Sequence, residues 1–411
     1  MKKTLLNIIA LMCLSINLNS QSEGGSPYSA FGLGDIQHAG SGQTTHLANT
    51  GIALRSGLFL NTINPAALNA IDWPFTMMME TGVDFDFNVY DKGEEEILKR
   101  DGGLTHFNLW FRINKKWGSL VGLAPFSNVS YSINDIQYAE NVNATYQVEY
   151  KGTGGLNRFH LGNAYEILPG LDVGMNMNFL FGTIERSEDF FSGNDVLDYS
   201  LTSESRFRGI YYDFGGQYHF TNKKEQQFIL GLTFKNKNKL HDDQDIILQT
   251  NADILEEDIT SGEDYQLPME IGTGISFQSK GLLLTSDFVY KGWEDAELNT
   301  EQKSIDTYAF SLGAEVAPFN SRNNSFPLPI LVRAGFRAEN HYLKINGRQF
   351  LNWETTAGVS VPVSRAQHYV HFGYSFRQRG TLSNDLLQEY RHRISLSFSL
   401  RDIWFVRNKI L

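Results

Sequence analysis

The sequence predicts an all-β protein: a 14-stranded antiparallel transmembrane β-barrel with an N-terminal hatch or plug in its lumen. Three observations carry this. Stretches of strand length alternate apolar and polar residues, as in Arg391–Arg401, where Ile394, Leu396, Phe398 and Leu400 oppose Arg393, Ser395, Ser397 and Ser399. Short and long connections alternate along the chain, the pattern of barrels with tight periplasmic turns and long external loops. The composition is rich in Gly (37), Phe (29) and Tyr (18), and after the N-terminus no apolar run is long enough for a membrane helix.

Residues 1–20 read as a secretory signal, with Lys2 and Lys3 before an apolar core from Leu5 to about Leu14 and cleavage before Gln21. A lipoprotein signal modified at Cys13 is the rival reading. Cleavage takes away the single Cys, and with it any disulfide, thiolate metal ligand or Cys nucleophile. It also takes away two lysines and no acid, so the net charge moves from −11 to −13 and no basic nucleic-acid footprint remains.

Residues 21–74 do not alternate and are glycine-rich. Tyr28, Phe31, Leu33, Ile52, Leu54, Leu58, Phe59 and Ile63 favour a compact plug over a flexible leader. Asn64-Pro65-Ala66 reads as an N-cap followed by a short helix. The barrel occupies 75–402, with a short periplasmic tail at 403–411. An even strand count puts both termini in the periplasm.

Strand one runs from Phe75 to Val89, with Met77, Met79, Val83, Phe85 and Phe87 toward lipid and Glu80, Asp84, Asp86 and Asn88 inward. Strand two carries Phe107 to Ile113. Strand three spans about Gly118 to Ile133, and Pro125 inside it marks a bulge or gap, because proline cannot donate to a ladder. Strand four sets Phe159, Leu161 and Tyr165 against His160, Asn163 and Glu166. Strands five to seven centre on Leu171–Phe181, Ile210–Phe220 and Phe228–Phe234. Strands eight to fourteen centre on 268–278, 282–291, 308–316, 330–337, 351–361, 370–377 and 391–401. Long external loops are expected at Asp91–Gly102, Asn134–Gly154, Glu185–Glu204, Trp293–Lys303, Asn340–Gly347, Gln378–Glu389 and, longest, Lys239–Leu267. The last holds nine acids between His241 and Asp264 and no Lys or Arg. It reads as a solvated surface loop or, alternatively, a divalent-cation bridge.

No catalytic constellation, phosphate loop or metal motif is visible, so the chain reads as a non-enzyme without cofactor or metal. A charge facing lipid at mid-depth costs about 2–4 kcal/mol, so Glu80, Asp84, Asp86, Arg333, Arg337, Arg377, Arg391 and Arg393 must face the lumen. As a mixed-sign set they read as a charge network sealing the closing seam, or alternatively as a polar conduit.

Ser26–Gly34, Asn49–Ala53, Asn64–Ala66, Leu123–Ser127 and the tail Asp402–Lys409 resemble the FadL-like family of outer-membrane barrels (long-chain fatty acid transporters and PorV-like proteins), in the form common in Bacteroidetes. The resemblance spans the mature chain. It implies a fourteen-stranded barrel set among outer-membrane lipid and lipopolysaccharide, with a hatch motif at Asn64, Pro65 and Ala66 and a lateral opening at Pro125 and Phe126. Two functions follow from it. One is passive uptake of a small hydrophobic ligand through the hatch and the strand-three opening. The other is a non-transporting accessory barrel, PorV-like, serving protein partners in an outer-membrane secretion or assembly complex. The heavily charged inner wall and acidic longest loop depart from the transporter pattern.

Overall fold

A computed structural model describes residues 25–71, 74–91, 93, 96–139, 144–192, 196–250, 254–261, 265–296, 303–317, 329–345, 347–363, 368–382 and 386–403. The signal, Cys13 and all but the first residue of the tail lie outside them. The barrel strands are β1 (Met77–Asp91), β2 (Glu96–Asn114), β3 in two segments (Trp117–Pro125 and Ser127–Ala139), β4 (Ala144–Leu168), β5 (Leu171–Ser192), β6 (Val196–Thr221) and β7 (Gln227–Lys235). They continue as β8 (Glu270–Ser279), β9 (Leu282–Lys291), β10 (Thr307–Val316), β11 (Leu331–Asn340), β12 (Leu351–Pro362), β13 (Tyr369–Gly380) and β14 (Gln388–Asp402). Each pairs antiparallel with the next, and β14 closes on β1 through pairs such as Arg393↔Asp86 and Leu400↔Met79. The result is a closed 14-stranded barrel. No helix among the described residues is long and apolar enough to cross a membrane.

The alternation maps onto two faces. Phe85, Phe107, Phe159, Phe179, Phe214, Leu230, Ile275, Phe310, Phe336, Phe372 and Ile394 lie exposed on the outside, while Glu80, Asp84, Asp86, Asn108, Asn176, Asp287 and Arg333 are buried within. An apolar band that encircles the molecule is stable only in a non-aqueous surround.

Three expectations are corrected. Asn163 shares the outward parity of Leu161 and Tyr165, so it lies exposed and accepts a hydrogen bond from the Trp117 indole at 3.0 Å. Strand three, expected to carry a bulge or gap at Pro125, is divided at Phe126 into two segments. Of the stretches expected as long loops, Asp91–Gly102, Asn134–Gly154, Glu185–Glu204 and Lys239–Leu267 are largely strand. β4, β5 and β6 run 25, 22 and 26 residues, against 10 for each of β8 to β11. The acidic segment folds as a hairpin of Asn238–Thr250 and Ile254–Ser261 laid against β6. Beyond the apolar band both faces of a strand meet water, so alternation vanishes while the ladder continues. The acidic hairpin also has basic neighbours: Arg206 and Arg208 of β6 pair with Asp245 and Asp243 at 2.7 and 3.2 Å.

Candidate functional site

The lumen is organised by the N-terminal segment, residues 25–71, which crosses it in irregular backbone and three short 3₁₀ turns, Pro27–Ala30, Thr45–Leu47 and Pro65–Asn69. Its apolar residues Leu47, Ile52, Leu54, Phe59 and Leu68 are fully buried. They reach the wall because the wall offers glycines where the segment passes. A Cβ at Gly174 would lie 2.4 Å from the Pro65 carbonyl carbon, at Gly231 2.1 Å from the Ile52 carbonyl oxygen, and at Gly335 2.4 Å from the Leu47 carbonyl carbon. At those points backbone meets backbone, and no solvent layer fits between segment and wall.

Asn64 is the segment's anchor. Its Oδ1 accepts from the Ala66 N–H at 3.0 Å, capping the turn that Pro65 begins. Its Nδ2 donates to the Ile52 carbonyl at 2.7 Å and reaches the Gly216 and Leu232 carbonyls of β6 and β7 at 3.2 and 3.3 Å. Asp287 of β9 accepts the N–H groups of Gly51 and Ile52 at 2.6 and 2.9 Å. Hydrogen bonds donated to a charged acceptor are the stronger kind, so the wall holds this turn firmly.

The predicted lumenal charges fall into separate clusters rather than one seam. Arg393 grips Asp86 through two bonds of 2.7 Å and touches Asp84 at 3.0 Å. Arg333 pairs with Glu315 at 2.6 Å, and Arg337 with Glu339 at 2.7 Å. Glu80 meets neither; it accepts from Ser399 at 2.8 Å and lies 3.5 Å from His106. Arg377 and Arg391 approach Asp35 of the N-terminal segment at 3.9 and 3.5 Å, and Arg379 binds it at 2.8 Å. Burial alone would raise the Asp35 carboxyl, but these three guanidinium groups hold it far below the usual carboxylate range. Sequence reasoning missed Asp35, Arg379 and Glu389. Asp35 sits in a stretch with no periodicity, and the other two lie where a loop was expected.

At β3 the wall parts. The β2–β3 ladder runs from Asn114↔Trp117 up to Phe107↔Leu123 and stops. Pro125 ends the lower segment. Phe126 is out of register, its N–H donating to the Leu156 carbonyl of β4 at 2.8 Å. The upper segment pairs with β4 and, at Ser127 and Asn128, with a two-residue strand of the N-terminal segment, Asp35–Ile36. Behind the parting lies a cavity of about 830 Å³, bounded by Asp35, Gly103, Asn128, Arg377, Arg391 and Arg393 among others. Its lining is mostly polar and of mixed charge. Among the described residues, no group of three or more His, Cys, Asp or Glu is placed to hold a metal.

A family model described as BamG matches residues 1–410. The chain belongs to the BamG family. Among solved structures, this BamG-family barrel is similar to the CymD monoaromatic hydrocarbon channel (15% identity, TM-score 0.58, covering 89% of this chain and 99% of that one). It is also similar to the P. putida toluene transporter TodX (12%, 0.59, 91% and 100%) and to a Pseudomonas aeruginosa FadL homologue (12%, 0.58, 89% and 99%). At such identities the likeness shows a shared FadL-type barrel fold and nothing more. No curated protein sequence matches the chain.

Proposed function

We propose that this BamG-family barrel is a non-transporting accessory barrel, a partner subunit of an outer-membrane secretion or protein-assembly complex, with both termini periplasmic. The observation that carries this is the backbone-to-backbone seating of the N-terminal segment on wall glycines, which leaves no layer along which a hatch could slide. The buried ion pairs between that segment and the wall, Arg379–Asp35 and Arg55–Asp172, point the same way. Its BamG membership is in keeping with a role in outer-membrane assembly. The protein then acts through its lipid-facing and external surfaces, without cofactor or catalysis. The Bacteroidetes attribution rests on the resemblance of Ser26–Gly34, Asn49–Ala53, Asn64–Ala66, Leu123–Ser127 and the tail Asp402–Lys409.

A second reading, uptake of a small hydrophobic compound past the hatch motif at Asn64–Ala66 and out through a lateral opening at Pro125 and Phe126, is favoured by the parting of the wall at β3. Affinity capture of the tagged barrel from native outer membranes in mild detergent separates the two. A stoichiometric protein partner supports the accessory role. A monomer that co-purifies with an apolar ligand overturns it in favour of uptake.

A further inference from the structure

Arg377 and Arg391 stand directly opposite each other across the β13–β14 ladder, and both are buried to more than nine-tenths. Like charges in that position repel. Each reaches Asp35 only at 3.9 and 3.5 Å, well beyond the 2.7–2.9 Å typical of a charge-assisted hydrogen bond. Arg391 comes no nearer than 3.8 Å to Asp86, and its Nε, buried, has no hydrogen-bond partner. Arg379 alone binds Asp35 closely, at 2.8 Å, while its other nitrogens grip Glu389 at 2.9 and 3.1 Å. One carboxylate is thus shared among three guanidinium groups, of which Arg377 and Arg391 hold it only at long range and Arg391 keeps a buried donor without a partner. The cavity of about 830 Å³ borders Asp35, Arg377 and Arg391.

We propose that Arg377, Arg379 and Arg391 form an oxyanion-binding cradle in which the Asp35 carboxylate is the internal occupant, displaceable by a carboxylate or phosphate group entering from the cavity. Guanidinium forks suit both groups. Glu354 opposite Arg377 and Asp86 beside Arg391 limit the cradle to a single oxyanion rather than a polyanion. Displacement has a consequence at the wall. Ile36 pairs with Ser127, and the Gln37 N–H donates to the Phe126 carbonyl at 2.9 Å. The segment that is clamped at Asp35 is therefore the same one that pins the break in β3. An anion in the cradle frees it, whether the barrel works as a scaffold or as a channel.

The test is the labelling rate of Phe126→Cys in the full-length barrel in neutral detergent by a charged thiol reagent, with the parent protein as blank. Three anion sources are compared at matched ionic strength: inorganic phosphate, hexanoate, and micelles doped with lysophosphatidic acid. A several-fold rise with any one supports the cradle and names its source. Asp35→Ala should label fast without anion, and Arg391→Gln should not respond. No change with all three anions, an equal rise with sodium chloride, or a normal response in Arg391→Gln overturns the proposal. If Asp35→Ala fails to fold, the titrations of the Phe126→Cys protein with and without Arg391→Gln decide.

Discussion

Two neighbouring seams of this barrel, β14–β1 and β2–β3, are built to opposite standards. The first is laddered through 15 residue pairs from Met77↔Asp402 to Asp91↔Gln388. It is pinned on its inner side by the Arg393–Asp86 fork. The second is laddered through seven pairs and then parts, its upper strand held instead by two residues of the N-terminal segment. In this barrel a glycine-bearing edge, a proline and an internal strand stand where the ladder is missing. The same segment rests on wall glycines lower in the lumen and on the broken strand above. Its lower part is therefore structural, and its upper part is the place where a signal could act.

The largest effect belongs to the closed seam. Arg393→Gln leaves Asp84 buried without its close counter-charge and Asp86 with only Arg391 at 3.8 Å, and breaking one side of a buried pair costs about 3–5 kcal/mol. The urea midpoint of the refolded barrel should fall accordingly, and the heat-resistant folded band on gels should weaken. A midpoint within error of the parent would mean that the fork does not hold the seam. Next in size is the seat of the N-terminal segment. Gly174→Val drives a side chain into the Pro65 backbone, which has nowhere to retreat. Overpacking costs about 1–3 kcal/mol, and this site should lie at or above the top of that range. If the variant is as stable as the parent, the segment is looser than its seating implies, and the uptake reading gains.

How much of this was legible in the sequence divides along the same line. Lipid outside and polar groups inside impose a period of two, so the inward parity of Asp86 and Arg393 could be read directly, and closure of β14 on β1 followed from strand order. Above the apolar band both faces of β4, β5 and β6 are wet, so nothing in the pattern separated strand from loop. The cluster around Asp35 joins residues more than 300 positions apart from a segment without periodicity, and only the fold brings them together. The wall glycines were visible as a composition. Their role as seats depends on what passes in front of each, and no single-residue signal carries that. Pro125 did announce the break, because proline removes a ladder donor.

A smaller effect tests the lower lumen by pH. His46 of the N-terminal segment lies against Gly358 and Gly373 and bonds Ser395 Oγ through Nε2 at 3.0 Å. Burial, with Arg333 nearby adding to it, pushes its pKa down to about 3. The folded state therefore holds this ring neutral while the unfolded chain takes up a proton below about pH 6.5. Stability contributed by the neutral ring is present above pH 6.5 and is lost as pH falls toward 3, at up to about 1.4 kcal/mol per pH unit. His46→Gln should flatten that part of the stability–pH curve while leaving the curve above pH 7 parallel to the parent. An unchanged slope would place His46 in contact with solvent and loosen the seat.

The smallest effect is the sharpest contrast with Gly174. Gly103 lies on β2 beside the parted seam, paired with Asp84 of β1, and a Cβ added there meets no heavy atom within 4 Å. Its backbone is not in the left-handed region, so alanine adopts the same conformation without strain. Gly103→Ala should therefore be neutral or stabilising by about 0.4–1 kcal/mol, through the lost freedom of the unfolded chain. The two glycines carry the same substitution logic with opposite surroundings. A destabilised Gly103→Ala barrel would mean that the β2 edge packs against something in the membrane-bound protein, and that the seam is closed by a partner rather than parted.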